Sequence, residues 1–152
     1  MKHGYTMAEL LVLMGIFAIL VGLGSVNFFS TFNQNNVGTS LDVLLADLRS
    51  AQAKAMSGQT VSGTPANWGV KFLSDSYVVF AGTYSAGATS NYVVNLPRGV
   101  TLTTSFPSSQ AIFLRSSGEI ENYNASSDTL TLVSGTTTKQ LELNAYGVPT
   151  GD

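Results

Sequence analysis

The chain has 152 residues and a formal charge of −2, from seven Lys and Arg against nine Asp and Glu. Once a membrane segment is set aside this leaves one modest domain, with no bulk attraction for nucleic acid or anionic lipid. There is no cysteine and a single histidine, His3, so the rest of the chain lacks a thiolate nucleophile, an imidazole base and the usual zinc ligands. Composition therefore argues against an enzyme: no catalytic residue, metal site or cofactor is expected, and no disulfide can staple the fold.

From Tyr5 to about Val26 the sequence is nearly all apolar, and one acid, Glu9, sits at its mouth. Met7 to Val26 is about the length needed to span a bilayer, roughly 20 residues. A lone carboxylate there is costly unless something pairs with it. A cut between Gly4 and Tyr5 would create an amino group one helical turn from Glu9, or close to the Glu9 of a neighbouring copy. Gly4-Tyr5-Thr6-Met7-Ala8-Glu9-Leu10-Leu11-Val12 resembles the class III signal of type IV pilins and type II secretion pseudopilins, usually Gly, Phe, Thr, Leu, any residue, Glu and then apolar residues. Tyr5 stands where phenylalanine is usual, and Ala8 is small for its position. The resemblance implies cleavage after Gly4, N-methylation of Tyr5 as the mature first residue, and an assembly role for Glu9. Two other readings are weaker. A Sec signal could end near Gly22-Leu23-Gly24 but has no place for Glu9, and a plain signal anchor gives Gly4 no role.

No charged residue follows Glu9 until Asp42, and Asn27 to Ser40 mixes Phe28, Phe29, Phe32 and Val37 with amides and hydroxyls. Beyond that, Leu41, Leu44, Leu45, Leu48, Ala51 and Ala55 recur at spacings of three and four, the mark of one helical face. Asp42, Asp47, Arg49, Gln52 and Lys54 lie largely off this stripe, and Gly58 is a suitable stop. A single helix from Tyr5 to Ser57 would run roughly 80 Å at about 1.5 Å per residue.

After Gly58 the pattern changes to short β-rich runs: Trp68 to Leu73, Tyr77 to Ala81, Tyr92 to Leu96, Val100 to Thr103, Ala111 to Arg115, Leu130 to Val133 and Gln140 to Leu143. Ser134-Gly135-Thr136 between the last two reads as a hairpin, whereas Ser57 to Pro65 and Ser85 to Ser90 read as flexible loops. The series Leu45 to Gln52, Trp68 to Phe72, Tyr77 to Phe80, Leu96 to Val100, Ile112 to Leu114 with Gly118, and Leu141 to Val148 resembles the GspH/FimT group of pilin-like proteins. The expected fold class is α+β: a long N-terminal helix, transmembrane in its first half and amphipathic in its second, packed on a small antiparallel β-sheet head. The expected divisions are a leader at 1–4, a helix at 5–57 with its membrane part at about 7–26, and a head at 58–152.

Other constellations carry less. Asp42, Asp47, Glu119, Glu121 and Asp128 form no dense loop of the EF-hand kind, so a solvated surface is the default over calcium. Asn124-Ala125-Ser126 matches the N-glycosylation acceptor, a pattern common by chance. Some members of the FimT side bind DNA through a basic C-terminal segment. Here Gly147 to Asp152 has no Lys or Arg and Lys139 stands alone, while phosphate neutralisation needs several cations. The resulting expectation is a pilin or pseudopilin subunit of a type IV pilus-like or type II secretion filament. The resemblance implies prepilin peptidase, an assembly platform, an assembly ATPase and other pilins as partners, with membrane lipid before assembly. It also implies single-pass residence in the cytoplasmic membrane before assembly and an extracytoplasmic filament afterwards. The alternative is a minor tip pilin that works as a binding module for DNA, a surface or a secreted substrate.

Overall fold

A computed structural model describes residues 5–61 and 63–150, and within its helix the side chains of 23–34 lie outside the description. The helix, α1 (Met7–Met56), is fixed at both ends by local chemistry. Thr6 stays extended at φ −78° and ψ 154°; its hydroxyl accepts the Glu9 N–H, and the Glu9 carboxylate accepts the Thr6 N–H. This reciprocal box satisfies donors that a helix start leaves orphaned. At the far end Gly58, at φ +64°, turns the chain. Its N–H bonds the Ala55 carbonyl at 3.1 Å, and the Gln59 N–H bonds that of Lys54 at 3.0 Å. These two bonds are the Schellman pattern, which needs a residue that tolerates positive φ.

Among the residues whose side chains are described, α1 buries a face against the rest of the chain from Val37 onward. Val37, Leu44, Leu48, Ala51 and Ala55 are fully buried, with Leu41 and Leu45 packed at the edges. The strands that follow are β1 (Thr60–Val61), β2 (Thr64–Pro65), β3 (Trp68–Phe72), β4 (Ser76–Ala81), β5 (Tyr92–Asn95), β6 (Val100–Thr104), β7 (Gln110–Phe113), β8 (Thr129–Ser134) and β9 (Thr137–Glu142), and the helix packs chiefly on β3, β8 and β9. All pairings are antiparallel, in a β1-β2 ribbon, a four-stranded sheet β5-β4-β3-β7 and a three-stranded sheet β6-β8-β9. Val70, Tyr77, Val79, Ala111 and Phe113 of the larger sheet share one core with Val100, Leu102, Leu130, Leu132 and Leu141 of the smaller. At the centre of β3, Gly69 lets two neighbours close in: a Cβ there would stand 2.8 Å from both the Ala111 carbonyl oxygen and Phe80 Cζ.

Expectations of two kinds are corrected here, for the strands and for the membrane. The strands do not form a single small head sheet. The turn Pro97-Arg98-Gly99-Val100, closed by the Val100 N–H on the Pro97 carbonyl at 3.0 Å with Gly99 at φ +85°, carries the chain from the first large sheet into the second. A positive φ at the third position is what a type II turn requires. Ser57 to Pro65 is also not wholly loop, since it holds the β1-β2 ribbon. The second correction concerns the membrane. Among the described residues no helix is long and apolar enough to cross one. A transmembrane first half over 7–26, and with it single-pass residence in the cytoplasmic membrane, is therefore not supported.

One polar tie crosses from helix to sheet inside the head. The Tyr77 hydroxyl on β4 donates to Asp47 Oδ2 on α1 at 2.7 Å, and Tyr77 is 1% exposed. Burial, then the bond to the Asp47 carboxylate, pushes the phenol far above its ordinary value. Tyr77→Phe should cost about 1–2 kcal/mol at neutral pH in a urea titration, because the bond to a charged acceptor is lost while Asp47 still reaches water. The unfolded phenol releases its proton from about pH 10 upward while the folded one keeps it, so the parent loses stability there as pH rises. The variant lacks this contribution. The gap between the two proteins should narrow from about pH 10 to 12, and a constant gap would contradict the assignment.

Candidate assembly surface

The first turn of α1 concentrates the residues singled out at the N-terminus. Thr6 donates both its N–H and its hydroxyl to Glu9 Oε2, each at 2.9 Å, and the Glu9 N–H returns to the Thr6 hydroxyl at 3.3 Å. The Glu9 carboxyl is held below its ordinary range, chiefly by the Thr6 backbone N–H and next by the Thr6 hydroxyl. Glu9 thus has a partner within its own chain, which the argument from a lone carboxylate missed. A sequence signal for it exists: Thr-x-x-Glu directly before an apolar run is the capping-box pattern. Tyr5 lies just before the helix and is exposed. Gly4, the expected cleavage residue, lies outside the described residues.

Beyond this turn the helix offers apolar side chains on every side. Large hydrophobics from Met7 to Val21 are all exposed, from Met7 at 84% to Ile16 at 51%. A helix that is apolar all round is one that ends up buried. Tyr5, Ala8, Glu9, Val12 and Leu13 share one face, where they line an open depression of about 400 Å³. The carboxylate therefore sits in an apolar surround, with Oε1 taking no hydrogen bond among the described residues.

The other candidate residues are dispersed. Asp47 is tied to Tyr77, and Asp128 accepts from the Tyr123 hydroxyl at 3.1 Å. Among the described residues no three His, Cys, Asp or Glu side chains come together as metal ligands. Asn124 is exposed in a turn, where its Oδ1 accepts the Ser126 N–H at 2.9 Å. Lys139 lies on β9 opposite Leu132. The sequence places Gln52 off the apolar stripe and gives it no partner, yet its Nε2 donates to the carbonyls of Gly118 at 2.9 Å and Tyr146 at 2.7 Å, pinning two loops to α1. No periodicity marks such a residue, because its partners are backbone atoms far along the chain. The chain matches no protein-family model, no curated protein and no solved structure.

The Thr6–Glu9 box can be tested by titration. A depressed carboxyl stabilises the fold above its unfolded pKa, and that contribution is lost as pH falls through the folded value. In carbon-13 NMR the Glu9 carboxyl should titrate below an ordinary glutamate in the parent. In Thr6→Ala, which removes the hydroxyl and keeps the backbone N–H, the midpoint should move up part of the way. Identical midpoints in the two proteins would mean that the box does not form.

Proposed function

We propose that the chain is a structural subunit of a filament, a pilin or pseudopilin of the type IV pilus-like or type II secretion kind, assembled through its N-terminal helix. The observation that carries the reading is the exposed apolar surface of α1 from Met7 to Val21, beside a head whose core, among the described residues, takes the helix from Val37 onward. A patch of this extent on one protein marks an interaction surface. Burying one such Leu, Ile, Val, Met or Phe side chain is worth about 1.5–3 kcal/mol, so helices of several copies packed side by side would gain greatly from association.

Glu9 sets the register in this scheme. Cleavage after Gly4, as the resemblance of Gly4 to Val12 suggests, frees the amino group of Tyr5, which is then methylated. That cation can approach the open oxygen of a neighbouring Glu9 while the other oxygen stays on Thr6. An apolar surround makes such a pair matter, because a charge left unpaired there is costly. Prepilin peptidase, an assembly platform and an assembly ATPase are the partners this role requires. No cofactor enters it.

Two measurements test the proposal. Mass analysis of the N-terminal peptide should give N-methylated Tyr5, whereas a start at Ser25 would point to a secreted protein. In co-expression with the parent, Glu9→Gln should be processed normally and yet be several-fold depleted from sheared filaments. Leu13→Asp, which adds a charge on the same apolar face, should be excluded almost completely. Equal incorporation of both variants would overturn assembly through this helix.

A further inference from the structure

Two depressions on the head, one of about 160 Å³ and one of about 430 Å³, share Gln110, Ile112 and Glu121 and so form one trough across β7. A tyrosine ring stands at each end. Tyr123 is held by its hydroxyl bond to Asp128, and Tyr84 packs edge-on against Phe80 with ring centres 5.4 Å apart and planes at 66°. The walls of the smaller depression include Ser108 and Asn122, both non-glycine residues at φ +52°. Such backbone persists only where its surroundings enforce it, and Lys71 Nζ holds the Ser108 carbonyl at 2.6 Å. The trough is thus shaped in advance by contacts behind it.

Its polar groups are unspent. The side chains of Gln110, Glu121 and Asn122 make no hydrogen bonds among the described residues, although they converge on this one surface. No Lys or Arg lines either depression, and one carboxylate does. The nearest cation, Lys71, is bonded to the Ser108 carbonyl and stands 5.6 Å from the centre of the Tyr84 ring, so with Glu121 the trough is close to neutral and offers phosphate or a nucleic-acid backbone no cluster of cations. Planar amides and a carboxylate suit vicinal hydroxyls, which donate and accept from neighbouring carbons. Tyrosine rings offer an apolar face beside a polar rim.

We infer that the trough binds a neutral saccharide of two linked rings, one against Tyr123 and one against Tyr84, with Gln110 and Glu121 bonded to hydroxyls at the junction. The proposal does not rest on filament assembly and adds a recognition role for the head. Binding is weak, on the order of millimolar, because an open trough covers only one side of each ring.

The test is saturation-transfer difference NMR on the full chain, with cellobiose, maltose, lactose and N,N′-diacetylchitobiose as probes. At least one probe should receive saturation on its ring protons. Tyr84→Ala and Glu121→Ala should each reduce it at least fivefold, with unchanged circular dichroism. Glu121 is exposed and its side chain unpartnered among the described residues, so its truncation leaves the fold intact and keeps the test decisive. Four silent probes would overturn the proposal, as would equal signals in parent and variants. Displacement of the saccharide by inorganic phosphate would also overturn it, since the site would then take anions. Any of these failures leaves the assembly reading untouched, because incorporation into filaments is measured separately.

Discussion

The buried stripe of α1 is the surface on which the whole head is built. Val37, Leu44, Leu48, Ala51 and Ala55 follow one another at helical spacing and touch strands of both larger sheets, so the two sheets share a core instead of each closing its own. Ala51 and Ala55 near the C-terminal end allow close approach, and two loops exploit it. Gly118, at φ +71°, passes so near that a Cβ would lie 2.7 Å from Met56 Cγ. Its carbonyl and that of Tyr146 are taken by Gln52, one residue off the stripe. Apolar burial supplies the attraction, and one amide sets where the irregular segments stop.

The same helix carries an opposite balance between Met7 and Val21, where the large apolar side chains are exposed. The Thr6–Glu9 box bears on how an acid persists there. A carboxylate that accepts an N–H and a hydroxyl from its own N-cap is partly compensated before any second copy arrives. It also stabilises the start of a helix that tertiary packing does not otherwise support. Glu9 can thus be charged, helix-forming and open to a further donor at once. These properties conflict only if the acid is imagined without its cap.

How much of this was legible in the sequence varies with the range of the interaction. The stripe from Leu41 to Ala55 and the β8-β9 hairpin depend on neighbours three, four or a few residues apart, and periodicity finds them. The Gly135-Thr136 turn joins Ser134 to Thr137 as its composition suggests. The division into two main sheets was not legible, because it depends on β6 pairing with β8 across the whole of β7, a choice made by the shared core. Hydropathy alone overstates the membrane span, and the partner of Glu9 is legible only in the Thr-x-x-Glu pattern of the capping box. The trough was invisible for a related reason: Tyr84, Gln110 and the Glu121–Tyr123 loop are three segments with no common motif, and only β7 brings them together.

Open sheet edges raise the question of why association should run through the helix at all. An unpaired strand edge is itself a template for another chain. Here the β7 edge is closed by the 119–121 segment, with the Leu114 N–H on the Glu119 carbonyl at 2.8 Å and the Glu121 N–H on that of Ile112 at 2.7 Å. β9 exposes Thr138, Lys139, Gln140 and Glu142, a row of polar and charged groups that a pairing strand would have to desolvate. β6 turns Thr101 and Thr103 outward, and β5 is only four residues long. None of these edges combines length with an apolar face, so cross-sheet pairing gains little. Met7 to Val21 has no such protection. Under the filament reading proposed above, guarded sheet edges and an exposed apolar helical segment would together favour association through that segment, which is what an ordered assembly, as opposed to aggregation, requires.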